Sequence, residues 1–125
     1  MPYATPRKLV LADLITGSER PLTPMEIWEE AQRRIPRLGI ATVYRALKQF
    51  VEEGQVRVVD IPGAPPHYES TARQHHHFFF CTRCHRLFNL VGCVRGLLGL
   101  APAGFKVKRH EIVLYGDCAE CSRHA

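Results

Sequence analysis

Residues 38–50, which read LGIATVYRALKQF, decide the fold of the first half of the chain. Apolar side chains recur along this stretch at the spacing of one helix face, so a helix is expected to begin at Ala41 or Thr42 and to stop at Gly54. Charged and polar side chains fall on the opposite face, which leaves that face free to meet a partner. The predicted inner face consists of Val43, Ala46, Leu47, Phe50 and Val51.

Two further helices are expected before this one. Residues 6–16 carry an apolar face and are followed by Gly17 and Ser18, which stop a helix. A second helix begins at Thr23-Pro24-Met25-Glu26, a capping box in which Thr23 is the N-cap and Pro24 takes the first helical position. Pro36 is expected to end that helix.

A β-hairpin is expected after the third helix. Residues 55–61 are typical of a strand, residues 62–66 are rich in proline and predict a turn, and residues 67–70 return as a second strand. Three helices followed by a two-stranded hairpin is the element order of a winged helix, so residues 1–71 are interpreted as a winged-helix DNA-binding domain.

The third helix carries the side chains that a DNA reader needs. Thr42, Tyr44, Arg45 and Lys48 supply a hydroxyl, an aromatic ring, a guanidinium and an ammonium group for base edges and phosphates in the major groove. The alternative is an ordinary surface helix with solvated charges. The capped helix before it, the hairpin after it and the nearby Arg33, Arg34 and Arg37 favour double-stranded DNA as the partner.

Length and composition limit the remaining possibilities. The chain has 125 residues, of which 46% are hydrophobic, so it is expected to fold as one ordinary domain or two small ones. Seventeen basic and twelve acidic residues give a formal charge of +5, which alone supports nucleic-acid binding only weakly. Because residues 1–7 hold no signal-peptide core and no apolar run approaches the roughly 18–20 residues of a membrane helix, we expect a cytoplasmic protein with no membrane partner.

Four cysteines predict a metal site in the second half of the chain. They form two Cys-x-x-Cys pairs, Cys81 with Cys84 and Cys118 with Cys121. Four thiolates in two such pairs fit tetrahedral zinc, and because no position is left for water or substrate the zinc is expected to be structural. The residues after 75 are too few to build a sufficient core unaided, so zinc would stabilise them.

Thiol redox chemistry is the alternative use of the two cysteine pairs. A redox pair of the thioredoxin type needs only one Cys-x-x-Cys, so the second pair favours zinc over thiol oxidoreductase chemistry. The fifth cysteine, Cys93, is interpreted as a small buried hydrophobe.

The second half is expected to form a separate small domain. Residues 72–75 are interpreted as a hinge, and residues 76–125 as an α/β dimerisation domain that carries the zinc site. Within it, a strand is expected at residues 78–80, a short helix at residues 93–100, and a strand pair or a long bent strand at residues 105–115. The predicted fold class is therefore α+β.

The segment Gly39-Ile40-Ala41-Thr42-Val43-Tyr44-Arg45 resembles the recognition-helix signature of the ferric uptake regulator (Fur) superfamily. The resemblance covers nearly the whole chain in the same order, and it includes Thr5-Pro6-Arg7, Tyr68-Glu69, the histidines 75–77 and both cysteine pairs. It implies a homodimer that reads a palindromic, A·T-rich operator and represses transcription, with Tyr44 and Arg45 at base-contacting positions.

The resemblance also implies a regulatory divalent metal at the hinge. Glu69 and His76 fall on positions that ligate the sensing metal in many members, and a second, more variable site would take His75, His77 and Asp117. Histidine and carboxylate ligands suit iron, manganese, zinc and nickel alike, so the ligands do not identify the metal.

This chain departs from the family pattern at the regulatory sites. Two positions that usually hold histidine are occupied by Pro21 and Phe78, and Asn89 stands where a carboxylate is common. The fourth position of the variable site falls on Gly96, which has no ligand atom. His67 and His110 are candidates to replace the missing ligands in space.

The leading hypothesis is a metal-responsive, DNA-binding repressor. A constitutive repressor of the same fold with a decayed sensor is the first alternative, and a zinc-stabilised protein-interaction module is the second. The sequence offers no catalytic triad, phosphate-binding loop or acid–base pair, so we do not expect an enzyme.

Overall fold

The computed structural model describes residues 6–73, 77–92 and 96–124. They divide into two compact units, which lie within residues Met1–Gln74 and His75–Ala125. None of the helices in the described ranges is long and apolar enough to cross a membrane.

The first unit has the element order expected from the sequence. Three helices are followed by two antiparallel strands, and this arrangement confirms the winged helix. The elements are α1 (Pro6–Gly17), α2 (Pro24–Gln32), α3 (Ile40–Glu52), β1 (Val56–Val59) and β2 (His67–Ser70).

The start of α2 is fixed by the capping box. The Glu26 amide donates to the Thr23 hydroxyl at 3.1 Å, and the Thr23 amide donates to the Glu26 carboxylate at 3.0 Å. The helix ends at Gln32, earlier than Pro36 alone would require, because the amides of Arg33 and Arg34 turn back to carbonyls three residues earlier. The indole of Trp28 then donates to the Leu38 carbonyl at 2.7 Å, which fixes the turn that leads into α3.

The core of the first unit lies between the three helices. Val43, Ala46, Leu47 and Phe50 of α3 are buried there, as expected. The sequence pattern places Val51 on the same inner face, but its side chain is exposed. The buried face is centred between Val43 and Leu47, which leaves Val51 at its edge. Along α1 the buried residues are Leu11 and Ile15.

The hairpin is attached to the helices by a short bridge. In the β1–β2 register, Arg57 lies opposite Glu69 and Val58 opposite Tyr68. Leu22 and Tyr68 exchange backbone hydrogen bonds of 3.0 and 2.8 Å, so the segment before α2 extends the sheet on the other side of β2.

The second unit is built on a three-stranded sheet. Its order is β4-β3-β5, in which β4 is antiparallel to β3 and β5 is parallel to it. The strands are β3 (His77–Cys81), β4 (Leu87–Leu90) and β5 (Val113–Gly116), and α4 (Ala119–Arg123) follows β5.

Two expectations for this unit need correction. A strand pair or a long bent strand was expected at residues 105–115, but the strand there is short and covers residues 113–116. Residues 105–112 have no regular structure. The short helix expected at 93–100 is a single 3₁₀ turn at Leu97–Leu100, which follows Gly96 in a left-handed conformation (φ 82°) that a continuing α-helix does not accommodate. Residues 93–95, including Cys93, lie outside the described residues.

Candidate metal centre and nucleic-acid interface

The parallel pairing of β3 and β5 brings the two cysteine pairs together. Cys81 ends β3 and lies opposite Gly116, the last residue of β5. Because parallel strands end at the same edge of a sheet, the turn after β3 and the start of α4 meet there. The metal-ligating sulfurs of Cys81, Cys84, Cys118 and Cys121 all lie within 4.8 Å of one another.

The geometry of the four sulfurs fits a tetrahedral zinc ion. Bonds of about 2.3 Å place tetrahedral ligand sulfurs about 3.8 Å apart, and the Sγ atoms of Cys84 and Cys118 are 3.9 Å apart. All four cysteines are free thiols, so no disulfide competes for these positions. In the described ranges they are the one group of three or more histidine, cysteine or acidic side chains arranged to hold a metal.

Backbone amides prepare the site for thiolates. The amides of Cys84 and Cys118 point at Cys81 Sγ at 3.4 and 3.3 Å. Burial raises the pKa of the Cys81 thiol, but these amides and that of Arg83 outweigh it and lower the pKa to about 6. Burial and the neighbouring sulfurs raise the pKa of Cys121 to about 12, so the four cysteines can hold few thiolates together until a cation joins them.

The exposed face of α3 is the candidate DNA-reading surface. Tyr44, Arg45 and Lys48 are exposed, and Lys48 lies four residues after Tyr44 and three after Arg45, so the three share the side of α3 opposite the buried face. Tyr44 is 52% exposed, so its aromatic ring is accessible to a partner. Thr42 is half-buried, and its hydroxyl accepts a hydrogen bond from the Arg45 guanidinium at 3.2 Å.

Basic side chains continue beyond α3. Arg33, Arg34 and Arg37 in the turn between α2 and α3 are all exposed, as phosphate contacts require. By contrast, the hairpin loop at residues 60–66 carries one charged residue, Asp60, and no cation. Phosphate contacts are therefore expected from the α2–α3 region more than from the tip of the hairpin.

The candidate regulatory ligands are engaged in other interactions within their own units. Glu69 on β2 is buried and pairs with the Arg57 guanidinium, whose Nε lies 2.9 Å from Oε1. Asp117 pairs with Arg83 at 3.6 Å. His75 and His76 lie outside the described residues.

His77 is held in a tautomer that disfavours metal binding. Its Nδ1 accepts a hydrogen bond of 3.0 Å from the Ile112 amide, so a neutral ring carries its proton on Nε2. Neither ring nitrogen then offers a lone pair to a metal unless this bond breaks. The ring of His110 lies beside it, with the two centroids 5.0 Å apart.

His67 on β2 is buried in the first unit. Its Nδ1 lies 2.7 Å from the Pro65 carbonyl, which can only accept, so Nδ1 carries the proton. Nε2 is buried without a hydrogen-bond partner among the described residues. Burial lowers the pKa of His67, and the Pro65 hydrogen bond and Glu26 offset only part of that effect.

The lowered pKa of His67 predicts that acid destabilises the first unit. The pKa of His67 in the folded protein is below its unfolded value of 6.5, so the unfolded chain takes up a proton first as the pH falls. The stability that depends on neutral His67 is therefore complete above about pH 6.5 and is lost progressively below it. Trp28, the one tryptophan of the chain, reports unfolding of this unit by its fluorescence. We expect a lower melting temperature at about pH 5.5 than at about pH 7.5.

The matched control for the acid effect is His67→Asn, whose amide can keep the Pro65 hydrogen bond but does not titrate in this range. The difference in melting temperature between the two pH values should shrink in this variant. An unchanged difference would mean that another group causes the acid sensitivity.

Sequence reasoning missed two features of the first unit. The Arg57–Glu69 pair follows from the hairpin register, which could have been derived from the length of the turn. His67 lies two residues from Glu69 on the same strand, so the two side chains face the same side, but no sequence signal marks that side as buried.

Comparisons with known proteins agree with this architecture. Residues 1–115 match the model of the ferric uptake regulator family. The chain is 28% identical over 122 residues to the peroxide operon regulator of Bacillus subtilis, a match that covers 95% of this chain and 83% of that protein. It is 29% identical over 123 residues to the ferric uptake regulation protein of Campylobacter jejuni, covering 94% and 78%.

A similar fold is seen in the structure of a zinc-bound manganese uptake regulator. The TM-score is 0.81 at 21% sequence identity, and the match covers 94% of this chain and 91% of that one. At this level of identity the likeness concerns the fold alone.

Proposed function

This chain belongs to the ferric uptake regulator family, and we propose that it represses transcription as a homodimer bound to a palindromic operator. It is a metal-responsive, DNA-binding transcription regulator, like the relatives named above. The observation that carries the proposal is the exposed face of α3, which presents Tyr44, Arg45 and Lys48 on a winged helix.

The second unit holds a structural zinc ion between its two cysteine pairs. We assign Cys81, Cys84, Cys118 and Cys121 as its ligands. The zinc contributes folding free energy by linking the turn after β3 to the start of α4. A tetrathiolate site has no open position, so this zinc is not placed to bind a substrate.

Homodimer formation is assigned to the second unit, at residues 76–125. Support comes from large apolar side chains that this unit leaves exposed, which is typical of surfaces buried on association. They include Val91, Leu98, Leu100, Phe105 and Leu114. Residues 1–71 would then place one reading helix on each half of the operator, with residues 72–75 as the hinge. As a DNA-binding regulator, this protein is proposed to act in the cytoplasm.

Metal-dependent operator affinity tests the proposal. This affinity is measured by fluorescence anisotropy on the chain's own promoter DNA at fixed salt. Manganese, iron, zinc and nickel are titrated separately. We expect one metal to tighten binding by about 5–150-fold, the usual range of coupling between two sites. Tight binding that no metal changes would instead indicate a constitutive repressor, and the absence of sequence-specific binding would favour the protein-interaction module.

A further inference from the structure

Arg57 and Glu69 form an ion pair across the hairpin. They lie directly opposite each other in the β1–β2 register, and Arg57 Nε is 2.9 Å from Glu69 Oε1. The Glu69 side chain is only 2% exposed, whereas that of Arg57 is 41% exposed. A buried carboxylate needs a nearby positive charge to remain ionised, and the guanidinium supplies one.

The position of Arg57 is fixed by a second contact. Its terminal nitrogen donates to the Arg73 carbonyl at 3.4 Å. The Arg73 guanidinium in turn hydrogen-bonds to the Ser18 carbonyl, just after α1. Arg57 therefore connects β1 to β2 and to the last described residues of the first unit, and its pairing with Glu69 belongs to a network.

A divalent cation is disfavoured at Glu69 in this arrangement. A metal bonded to either carboxylate oxygen would lie within a few ångströms of the guanidinium, and the two positive charges would repel each other. Displacing Arg57 would also break its contact to Arg73. The second, more variable ligand set is weakened separately, because His77 and Asp117 are engaged by Ile112 and Arg83.

We propose that Arg57 is the resident cation of Glu69 and that the metal response of this chain does not use Glu69 as a ligand. The guanidinium supplies, inside one unit, the positive charge that a hinge metal would otherwise bring to this carboxylate. The statement about the response rests on the proposed function, whereas the pairing itself does not.

The experiment uses the full-length, zinc-containing protein and the variants Glu69→Gln, Arg57→Met and their combination. Binding of Mn²⁺, Zn²⁺ and Ni²⁺, each alone, is measured by equilibrium dialysis beyond the structural zinc. We expect Glu69→Gln to leave each metal affinity within about twofold, whereas loss of a genuine ligand should weaken it by at least about 10-fold.

Melting of the first unit, followed by Trp28 fluorescence, tests the pair itself. Each single variant should lower the melting temperature by about 5 °C, and the double variant should lose less than the sum of the two. Arg33→Met is the matched control. It removes an exposed arginine whose ion-pair partner, Glu30, is also exposed, so it should change the melting temperature little.

Two results would overturn the inference: a 10-fold or larger loss of metal affinity in Glu69→Gln, or additive effects of the two single variants on melting. Failure of the proposed function would look different. A wild-type protein without operator-specific binding, or without any metal response, would contradict that function while the coupling between Arg57 and Glu69 is still measured by melting.

Discussion

Replacing Cys118 by serine is expected to release the zinc and to unfold the second unit. Cys118 is buried, its amide donates to Cys81 Sγ at 3.3 Å, and its own sulfur lies 3.9 Å from that of Cys84. Structural zinc in small domains binds with an apparent free energy of about 10–16 kcal/mol, which equals or exceeds the stability of a typical domain. The loss of metal is measured as zinc content per chain, the loss of fold by circular dichroism, and the loss of the dimer by sedimentation.

The substitution isolates the metal from the helix cap. Cys118 is the N-cap of α4, and its side chain accepts a hydrogen bond from the Cys121 amide. Serine is a good N-cap, so Cys118→Ser keeps that interaction and removes only the thiolate. Ser122→Ala, an exposed change in the same helix, is the control and should retain one zinc per chain. A zinc-free variant that stays folded and dimeric would show that zinc does not stabilise this unit.

The first unit could be predicted largely from local signals. Thr23 with Glu26 predicted the start of α2, and the start expected at Ala41 or Thr42 and the stop at Gly54 lie within two residues of the ends of α3, because such signals act on the backbone next to them. The four-cysteine site was equally predictable, since the spacing within each pair reflects the geometry of one metal. These features need no knowledge of the rest of the chain.

The second unit was harder to predict because its order comes from distant contacts. The parallel pairing of β3 with β5 joins segments more than 30 residues apart, and no local pattern specifies it. Helix α4 has five residues, too few for a helical period to be recognised. Its start depends on Cys118 as the N-cap, whereas the cysteine spacing in the sequence points to a metal ligand and not to a helix cap.

The regulatory site shows the limit of reasoning from resemblance. Glu69 occupies a family ligand position, but its surroundings are set by Arg57 on the opposite strand. His77 is likewise defined by the Ile112 amide that its Nδ1 accepts. A residue's identity shows which atoms it could offer a metal, whereas the hydrogen bonds around it decide whether those atoms are free.

Arg45→Ala should weaken operator binding by about 1–3 kcal/mol if the guanidinium contacts a base. Arg45 is exposed on α3, so its removal leaves the buried face of Val43, Leu47 and Phe50 intact. Its guanidinium donates a 3.2 Å hydrogen bond to the Thr42 hydroxyl, which DNA could replace. Anisotropy at fixed salt on operator DNA and on random DNA of the same length measures the change.

The comparison with Lys48→Ala separates reading a base from contacting a phosphate. Lys48 lies on the same exposed face, less than one turn further along α3, and a lysine there is expected to contact phosphate. Its loss should weaken binding to both DNAs about equally and reduce the salt dependence, whereas loss of Arg45 should act mainly on the operator. If Arg45→Ala weakens both DNAs equally, Arg45 contacts only phosphate. If neither variant affects operator binding, the exposed face of α3 does not read DNA, because both substitutions leave its fold unchanged.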